Sequence, residues 1–166
     1  MSNPSQDYGR DFERSLCDEI NNFLRKYDCI SVCYRLTDDN QPIDLLIDSP
    51  DIGYIGIECK STYDISELEM RKVNRVGEFG VGQIERQHAF LRNTGRYGVL
   101  ALQDRRTSST FLIPHQYIFN KVENRESLLT IDEVKDIGLK FHKKCTYTEF
   151  IEFIMQRCRT GHKHDN

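Results

Sequence analysis

Long apolar stretches are missing from this sequence. No run approaches the roughly 18 apolar residues that a membrane-spanning helix needs. The first residues, MSNPSQDYGRDFE, also lack the basic and apolar regions of a secretory signal. We therefore expect no membrane partner, and a cytoplasmic or at least intracellular location. The 166 residues, 38% hydrophobic and 30% charged, favour one soluble globular domain over a disordered chain.

Paired cysteine motifs are missing as well. None of the six cysteines lies in a CxxC pair, and the spacing between Cys29 and Cys33 has no matching second half. This excludes the common zinc-site patterns and favours reduced thiols that act as small apolar side chains. Residues 160–166 contain two histidines but no framework to fix a metal, and we expect them to form a disordered tail.

The hydrophobic periodicity predicts the element order α-β-β-β-α-β-β-α-α, which indicates an α/β fold with a mixed sheet flanked by helices. Helices are predicted at Arg10–Tyr27, at Gln83–Thr94 before Gly95, and after two capping boxes, Thr130–Glu133 and Thr146–Glu149. Strands are predicted at Cys29–Leu36, Ile43–Ile47, Tyr54–Lys60, Tyr97–Gln103 and Thr110–Ile113. Residues 61–82 are polar and weakly periodic, which suggests a flexible excursion or short arm.

Charge is unevenly distributed along the chain, whose net charge is −3. Residues 1–70 carry a net charge of −9, and residues 71–106 carry +5. Such a pattern fits a cation site beside a phosphate-binding surface, although solvated charges can also fluctuate by chance. The basic residues expected to contact DNA phosphates are Arg10, Arg71, Lys72, Arg75, Arg86, Arg92 and Arg96.

The residues that indicate chemistry are Asp44, Glu58 and Lys60. Side chains of a strand alternate between faces, so Glu58 and Lys60 should project together. A turn at residues 48–53 should bring Asp44 beside Glu58. Two converging carboxylates repel each other unless a cation lies between them, and Mg²⁺ prefers such oxygen ligands, with the Cys59 backbone carbonyl as a third. Lys60 would then orient or deprotonate a water, or stabilise developing charge.

Glu13 and Gln83 extend this set. Glu13 falls inside the apolar stripe of the first helix, and a buried carboxylate is costly unless it is paired or metal-bound. Gln83 opens a helix and could hold a phosphate or a metal-bound water. Each feature alone has an ordinary explanation: a cross-strand ion pair at the surface, a helix-edge acid and a polar helix start. Their order along the chain favours a functional site.

In this order the chain resembles the PD-(D/E)XK nuclease superfamily, with the motifs FE, PID, IECK and GQI. It is most similar to Holliday-junction resolvases of the bacterial RecU and archaeal Hjc types, over roughly residues 8–141. The resemblance implies a restriction-endonuclease-like fold and a homodimeric endonuclease that makes paired nicks in four-way DNA junctions with Mg²⁺ or Mn²⁺. It assigns the catalytic site to Glu13, Asp44, Glu58, Lys60 and Gln83.

The chain also departs from those resolvases. Asp44 follows Pro-Ile rather than a Ser/Thr-rich approach, residues 61–82 are shorter than the RecU stalk, and the net charge is acidic. These departures leave two alternatives open. One is a PD-(D/E)XK nuclease of a restriction or repair type that acts on other DNA. The other is a nuclease-like DNA-binding module without catalytic activity.

Overall fold

The computed structural model describes residues 4–37, 41–77, 80–92 and 96–160, and it begins with a helix of 23 residues. This helix, α1, spans Pro4–Lys26 and so starts before the predicted Arg10. Pro4 is its first residue, a position where the missing N–H of proline leaves no bond unmade. The apolar stripe of α1 is buried as predicted, with Leu16, Ile20 and Leu24 in the core.

The six strands of the main sheet lie in the order β1-β2-β3-β5-β6-β8. Their bounds are β1 Val32–Arg35, β2 Leu45–Ser49, β3 Gly53–Thr62, β5 Tyr97–Asp104, β6 Ser109–Pro114 and β8 Leu139–Phe141. The β3–β5 pair is parallel and every other pair is antiparallel. A second sheet joins β4, Glu67–Glu69, to β7, Leu128–Thr130. The predicted α/β class with a mixed sheet is confirmed.

Helices cover both faces of the main sheet. After α1 they are α2 Met70–Val73, α3 Gln83–Arg92, α4 His115–Glu123, α5 Ile131–Ile137 and α6 Tyr147–Arg157. Residues of α1 and α6 form one apolar cluster with the sheet, and residues of α2 to α5 form another on the opposite side. Strand β5 contributes Val99 and Ala101 to the first cluster and Leu100 and Leu102 to the second. Both faces of this central strand are therefore buried, which explains its continuous apolar sequence.

Residues 61–82 differ from the predicted excursion. They contain the end of β3, strand β4 and helix α2, and an isolated bridge joins Val76 to Gly82. Ile65, Leu68, Met70 and Val73 of this segment are buried in the second apolar cluster. Sequence periodicity does not show this because the elements are only three or four residues long.

Three elements beyond this segment, α4, β7 and β8, are also absent from the sequence prediction. The strand predicted at Thr110–Ile113 stops before Pro114. In the structure Pro114 is the last residue of β6, and α4 begins at the next residue because the fixed φ of proline also suits a helix start. Strands β7 and β8 have three residues each, too few for an alternating pattern. Both capping boxes are confirmed: Thr130 and Glu133 exchange hydrogen bonds, as do Thr146 and Glu149.

Some predictions concern residues outside the described part of the chain. Gly95 lies outside it, and so does the predicted tail, apart from Thr160, which is buried. Across the described residues, no helix combines the length and apolar character that crossing a membrane requires.

Candidate active site

Asp44 is held beside β3 by the hairpin that joins β2 and β3. The register pairs Leu45 with Ile57, and the Asp44 backbone N–H donates to the Ile57 carbonyl at 3.0 Å. One oxygen of the Asp44 carboxylate, Oδ2, accepts a hydrogen bond of 2.7 Å from the backbone N–H of Cys59. The predicted turn thus brings Asp44 to Glu58, as expected from the sequence.

Glu58 and Lys60 project from the same face of β3, as the strand alternation predicts. Glu58 is only 1% exposed, whereas the Lys60 side chain is 19% exposed. The Lys60 Nζ lies 2.7 Å from Glu58 Oε1 and donates to Gln83 Oε1, also at 2.7 Å. Gln83 also contacts Glu58 directly, since its Nε2 donates to the same Oε1, so the three side chains all contact one another. Helix α3 therefore starts against the acidic group on β3.

A further residue, Gln87, contacts Glu58 and is absent from the set predicted from the sequence. Its Nε2 donates to Glu58 Oε2 at 2.6 Å, and the residue is fully buried. Gln87 lies four residues after Gln83, so the two amides share one face of α3. That spacing is the sequence signal that could have identified it.

The pKa values of Glu58 and Glu13 are both raised, chiefly by burial. Burial raises the pKa of Glu58 to about 8, with a further contribution from Asp44 and an opposing one from Lys60. The pKa of Glu13 is also raised, first by burial and then by the charge of Asp44, against the lowering effects of Arg35, Arg10 and Lys60. A cation bound beside Asp44 would relieve the repulsion between its charge and the carboxyl groups of Glu13 and Glu58.

The site opens into a cleft of about 490 Å³ between α1, the end of β1 and the start of α3. Glu13, Asp44 and Gln83 line this cleft, and so do four arginines: Arg10, Arg14, Arg35 and Arg86. Arg10 and Arg86 belong to the predicted phosphate contacts. Arg14 and Arg35 do not, although Arg14 follows Arg10 by one helical turn and so lies on the same face of α1.

The other predicted basic residues are not among those that line the cleft. The Arg75 carbonyl accepts from the Gln83 N–H at 2.9 Å, so Arg75 is next to the start of α3. Arg71 and Lys72 are exposed and form ion pairs with Glu69, which offsets part of their charge. Arg92 and Arg96 lie away from the start of α3 and do not line the cleft. Arg92 ends α3, and the Arg96 guanidinium lies over the rings of Tyr54 and Phe90 at the opposite end of β3 and β5.

No group of three or more histidine, cysteine, aspartate or glutamate side chains within the described segments is arranged to hold a metal ion. Asp44 and Glu58 form a carboxylate pair whose oxygens accept hydrogen bonds from protein donors. This donor set still fits Mg²⁺, which typically takes one or two protein carboxylates and keeps several waters. A cation at Glu58 Oε1 would require Lys60 and Gln83 to move away from that oxygen.

No protein-family model and no curated protein matches the sequence. Among solved structures, the chain is similar to Hjc, a Holliday junction resolvase from the archaeal hyperthermophile Archaeoglobus fulgidus. The TM-score is 0.54 and the identity 22%, and the match covers 80% of this chain and 95% of that one. The likeness shows the fold and confirms the predicted restriction-endonuclease-like α/β architecture.

Proposed function

We propose that this protein is a metal-dependent DNA endonuclease that makes paired nicks in four-way junctions. The observation that carries the proposal is the meeting of Asp44, Glu58, Lys60 and Gln83 beside a cleft lined by four arginines. Acidic groups, an ammonium and a surrounding basic surface are the parts that phosphodiester hydrolysis needs. The fold shared with a Holliday junction resolvase supports the choice of substrate.

Asp44 and Glu58 would hold the divalent cation together with the Cys59 backbone carbonyl. Glu13 lines the cleft but is not arranged with them as a third carboxylate ligand, and it would act through water around the ion. Hard oxygen donors of this kind suit Mg²⁺ or Mn²⁺. When bound, such an ion polarises the phosphoryl oxygens and lowers the pKa of a coordinated water. The raised pKa values of Glu13 and Glu58 are consistent with a site that gains from a cation.

Lys60 and Gln83 would position the water and the scissile phosphate. Lys60 is held within hydrogen-bond distance of both Glu58 and Gln83, so its ammonium is directed at the acidic group rather than into solvent. From there it can orient the attacking water or stabilise charge that develops on the phosphoryl oxygens. Gln83 reaches both the cleft and Glu58, which puts an amide between the substrate and the acidic group.

The cleft arginines would bind the DNA backbone. Arg10, Arg14, Arg35 and Arg86 surround the acidic residues, and guanidinium groups pair well with phosphate oxygens. Such contacts set affinity and register without reading sequence. This suits an enzyme that recognises the shape of a junction.

A second subunit would supply the second nick. Resolving a four-way junction requires cuts in two strands, and this chain has one proposed acidic cluster, so we propose a twofold homodimer. Strand β1 is an edge of the main sheet, and its Val32 and Tyr34 side chains are 40% and 51% exposed. An unpaired edge with exposed apolar side chains supports an interface at this position.

The decisive experiment compares a four-way junction with a linear duplex of matched sequence. With Mg²⁺ we expect paired nicks in the junction and much slower cutting of the duplex. The Asp44→Asn and Glu58→Gln variants should bind the junction but not cut it. Equal cutting of both substrates would indicate a nuclease with another role. Binding without any metal-dependent cutting by the unmodified chain would indicate a non-catalytic module.

A further inference from the structure

Gln87 is an unusual residue for its position. It lies on the buried face of α3 together with Ile84 and Leu91, where an apolar side chain would be expected. Its Oε1 is buried and accepts no hydrogen bond from the described residues. Leaving a buried polar atom unpaired costs about 1–3 kcal/mol, so the position is not explained by stability.

The Gln87 side chain is joined to Glu58 by a hydrogen bond. Gln87 Nε2 donates to Glu58 Oε2 at 2.6 Å, while Lys60 and Gln83 both contact Oε1. The two oxygens of this carboxyl group are therefore in different environments. Oε1 faces Lys60 and Gln83, of which Gln83 lines the cleft, and Oε2 faces a fully buried amide.

We infer that Gln87 determines which divalent cation the site accepts. It engages Glu58 Oε2 from the core side, so a metal could bind this carboxyl group only at Oε1, in place of Lys60 and Gln83. This inference rests on the proposed function, in which Glu58 is a metal ligand. Ca²⁺ takes six to eight oxygens in flexible geometry and often uses both oxygens of one carboxylate. Mg²⁺ requires near-octahedral geometry and binds through few protein oxygens. A carboxylate limited to one oxygen favours Mg²⁺, and Mn²⁺ with similar geometry, over Ca²⁺.

Gln87 also fixes the orientation of the Glu58 carboxyl group. Burial makes this carboxyl group depend on protein donors, and Gln87 is the donor that acts from the core side. Groups that hydrogen-bond a metal-ligating side chain typically change metal affinity by about 10–100-fold when they are removed. Gln87 acts through Glu58 and is a positioning residue, since the side chain is fully buried.

The test measures binding of MgCl₂ and CaCl₂ to the metal-free chain of 166 residues by calorimetry, without DNA. The Gln87→Met variant keeps the size of the side chain and removes the donor, and Gln87→Leu is a second variant if the first folds poorly. Gln116→Met serves as the matched control, because Gln116 bonds to Asn120 on the outside of α4. Thermal melting of each variant checks that the fold is retained.

We expect the ratio of Mg²⁺ to Ca²⁺ affinity to fall about tenfold in Gln87→Met, the size typical for removing a hydrogen-bond partner of a metal ligand. In Gln116→Met the ratio should equal that of the unmodified chain. An unchanged ratio in a folded Gln87 variant, or an equal fall in affinity for both ions, overturns the inference and leaves the proposed function standing. If the unmodified chain binds neither ion, the proposed function fails and the inference fails with it.

Discussion

Lys60 is the residue whose removal should separate catalysis from binding. Its ammonium contacts Glu58 and Gln83, and among the described residues it is the cation paired with the Glu58 carboxyl. In Lys60→Gln we expect the cleavage rate to fall by about a hundredfold or more, the range for removal of a positioned acid–base or charge-stabilising group. Single-turnover cleavage and a junction-binding assay would measure the two effects separately.

Lys72 provides the control for this change. It is an exposed lysine that pairs with Glu69, away from Glu58. Lys72→Gln should leave the single-turnover cleavage rate at saturating protein within about twofold of the unmodified chain, because a phosphate contact by Lys72 would change affinity and not the chemical step. A Lys60 variant that cuts as fast as the Lys72 variant would remove Lys60 from the mechanism.

His115 should give the protein a pH-dependent stability. Its ring is buried, and burial lowers its pKa to about 3, with a contribution from His88 and an opposing one from the Ile84 backbone. The unfolded chain binds this proton with an ordinary pKa of about 6.5. Stability is therefore fully present above pH about 6.5 and is lost as the pH falls towards the folded-state value.

The corresponding measurement is urea unfolding at pH 7 and pH 5. A single site of this kind should cost about 2 kcal/mol over that interval, at about 1.4 kcal/mol per pH unit below 6.5. His115→Phe should remove that part of the dependence, whereas the exposed His142→Gln should retain it. If the free energy of unfolding changes equally with pH in both variants, groups other than His115 control the stability in acid.

At the residue scale, the acidic cluster is predictable and its buried partner is not. Asp44, Glu58 and Lys60 follow from strand alternation and one turn, because those rules relate neighbours within a hairpin. Gln87 and Arg35 depend on how α3 and β1 pack against the neighbouring elements, and no local pattern encodes that packing. The only trace of Gln87 is its four-residue spacing from Gln83.

The arrangement of charge on the elements predicts which of them bind DNA. Arg10 and Arg14 share a face of α1 and line the cleft, whereas Arg92 lies at the far end of α3. Replacing Arg10 and Arg14 with glutamine should reduce the slope of log affinity against log salt by about 2, because each phosphate-binding arginine accounts for about 1. Arg92→Gln should leave that slope unchanged. The reverse result would place the DNA on the other end of α3.

Helix α2 should contribute less to DNA binding than its basic sequence suggests. Arg71 and Lys72 lie in a basic stretch, but Glu69 pairs with both of them. Neutralising these two residues should therefore lower the salt slope by less than the Arg10 and Arg14 pair does. Titration of junction binding at several salt concentrations would compare the two double variants directly.

At the element scale, the length of a helix or strand decides whether the sequence predicts it. Helix α1 and strands β3 and β5 are long enough to show a pattern, and the sequence predicts their existence and type. Strands β4, β7 and β8 have three residues each and are defined by partners elsewhere in the chain. Helix α4 follows a proline that ends one element and starts the next, so local sequence carries no separate signal for it.

The whole molecule combines an acidic net charge with a basic cleft. A net charge of −3 argues against a nucleic-acid partner when it is averaged over the surface. The arginines that line the cleft produce a local positive field, and a phosphate backbone responds to that local field. Acidic residues elsewhere would repel DNA from other faces and so restrict the orientation of binding.

Strand β1 is the proposed site of dimer assembly. If two copies pair through the edge strand β1, the exposed Val32 and Tyr34 side chains become buried, and one twofold axis relates the two acidic clusters. We expect a dimer at micromolar concentration in sedimentation experiments. The double variant Val32→Lys with Tyr34→Lys should be a monomer, because two like charges on each edge would face each other across the axis.

The monomeric variant should retain its acidic cluster and still nick, but it should cut one strand at a time. The products of junction cleavage then change from ligatable duplexes to singly nicked junctions, because the second cut no longer follows within the same complex. Tyr63→Lys is the matched control, since Tyr63 is also exposed but lies after β3, away from the edge strand. If the unmodified chain sediments as a monomer and cuts linear duplex as fast as a junction, the resolvase proposal is wrong, and a nuclease acting on ordinary duplexes becomes the better explanation of the same acidic cluster.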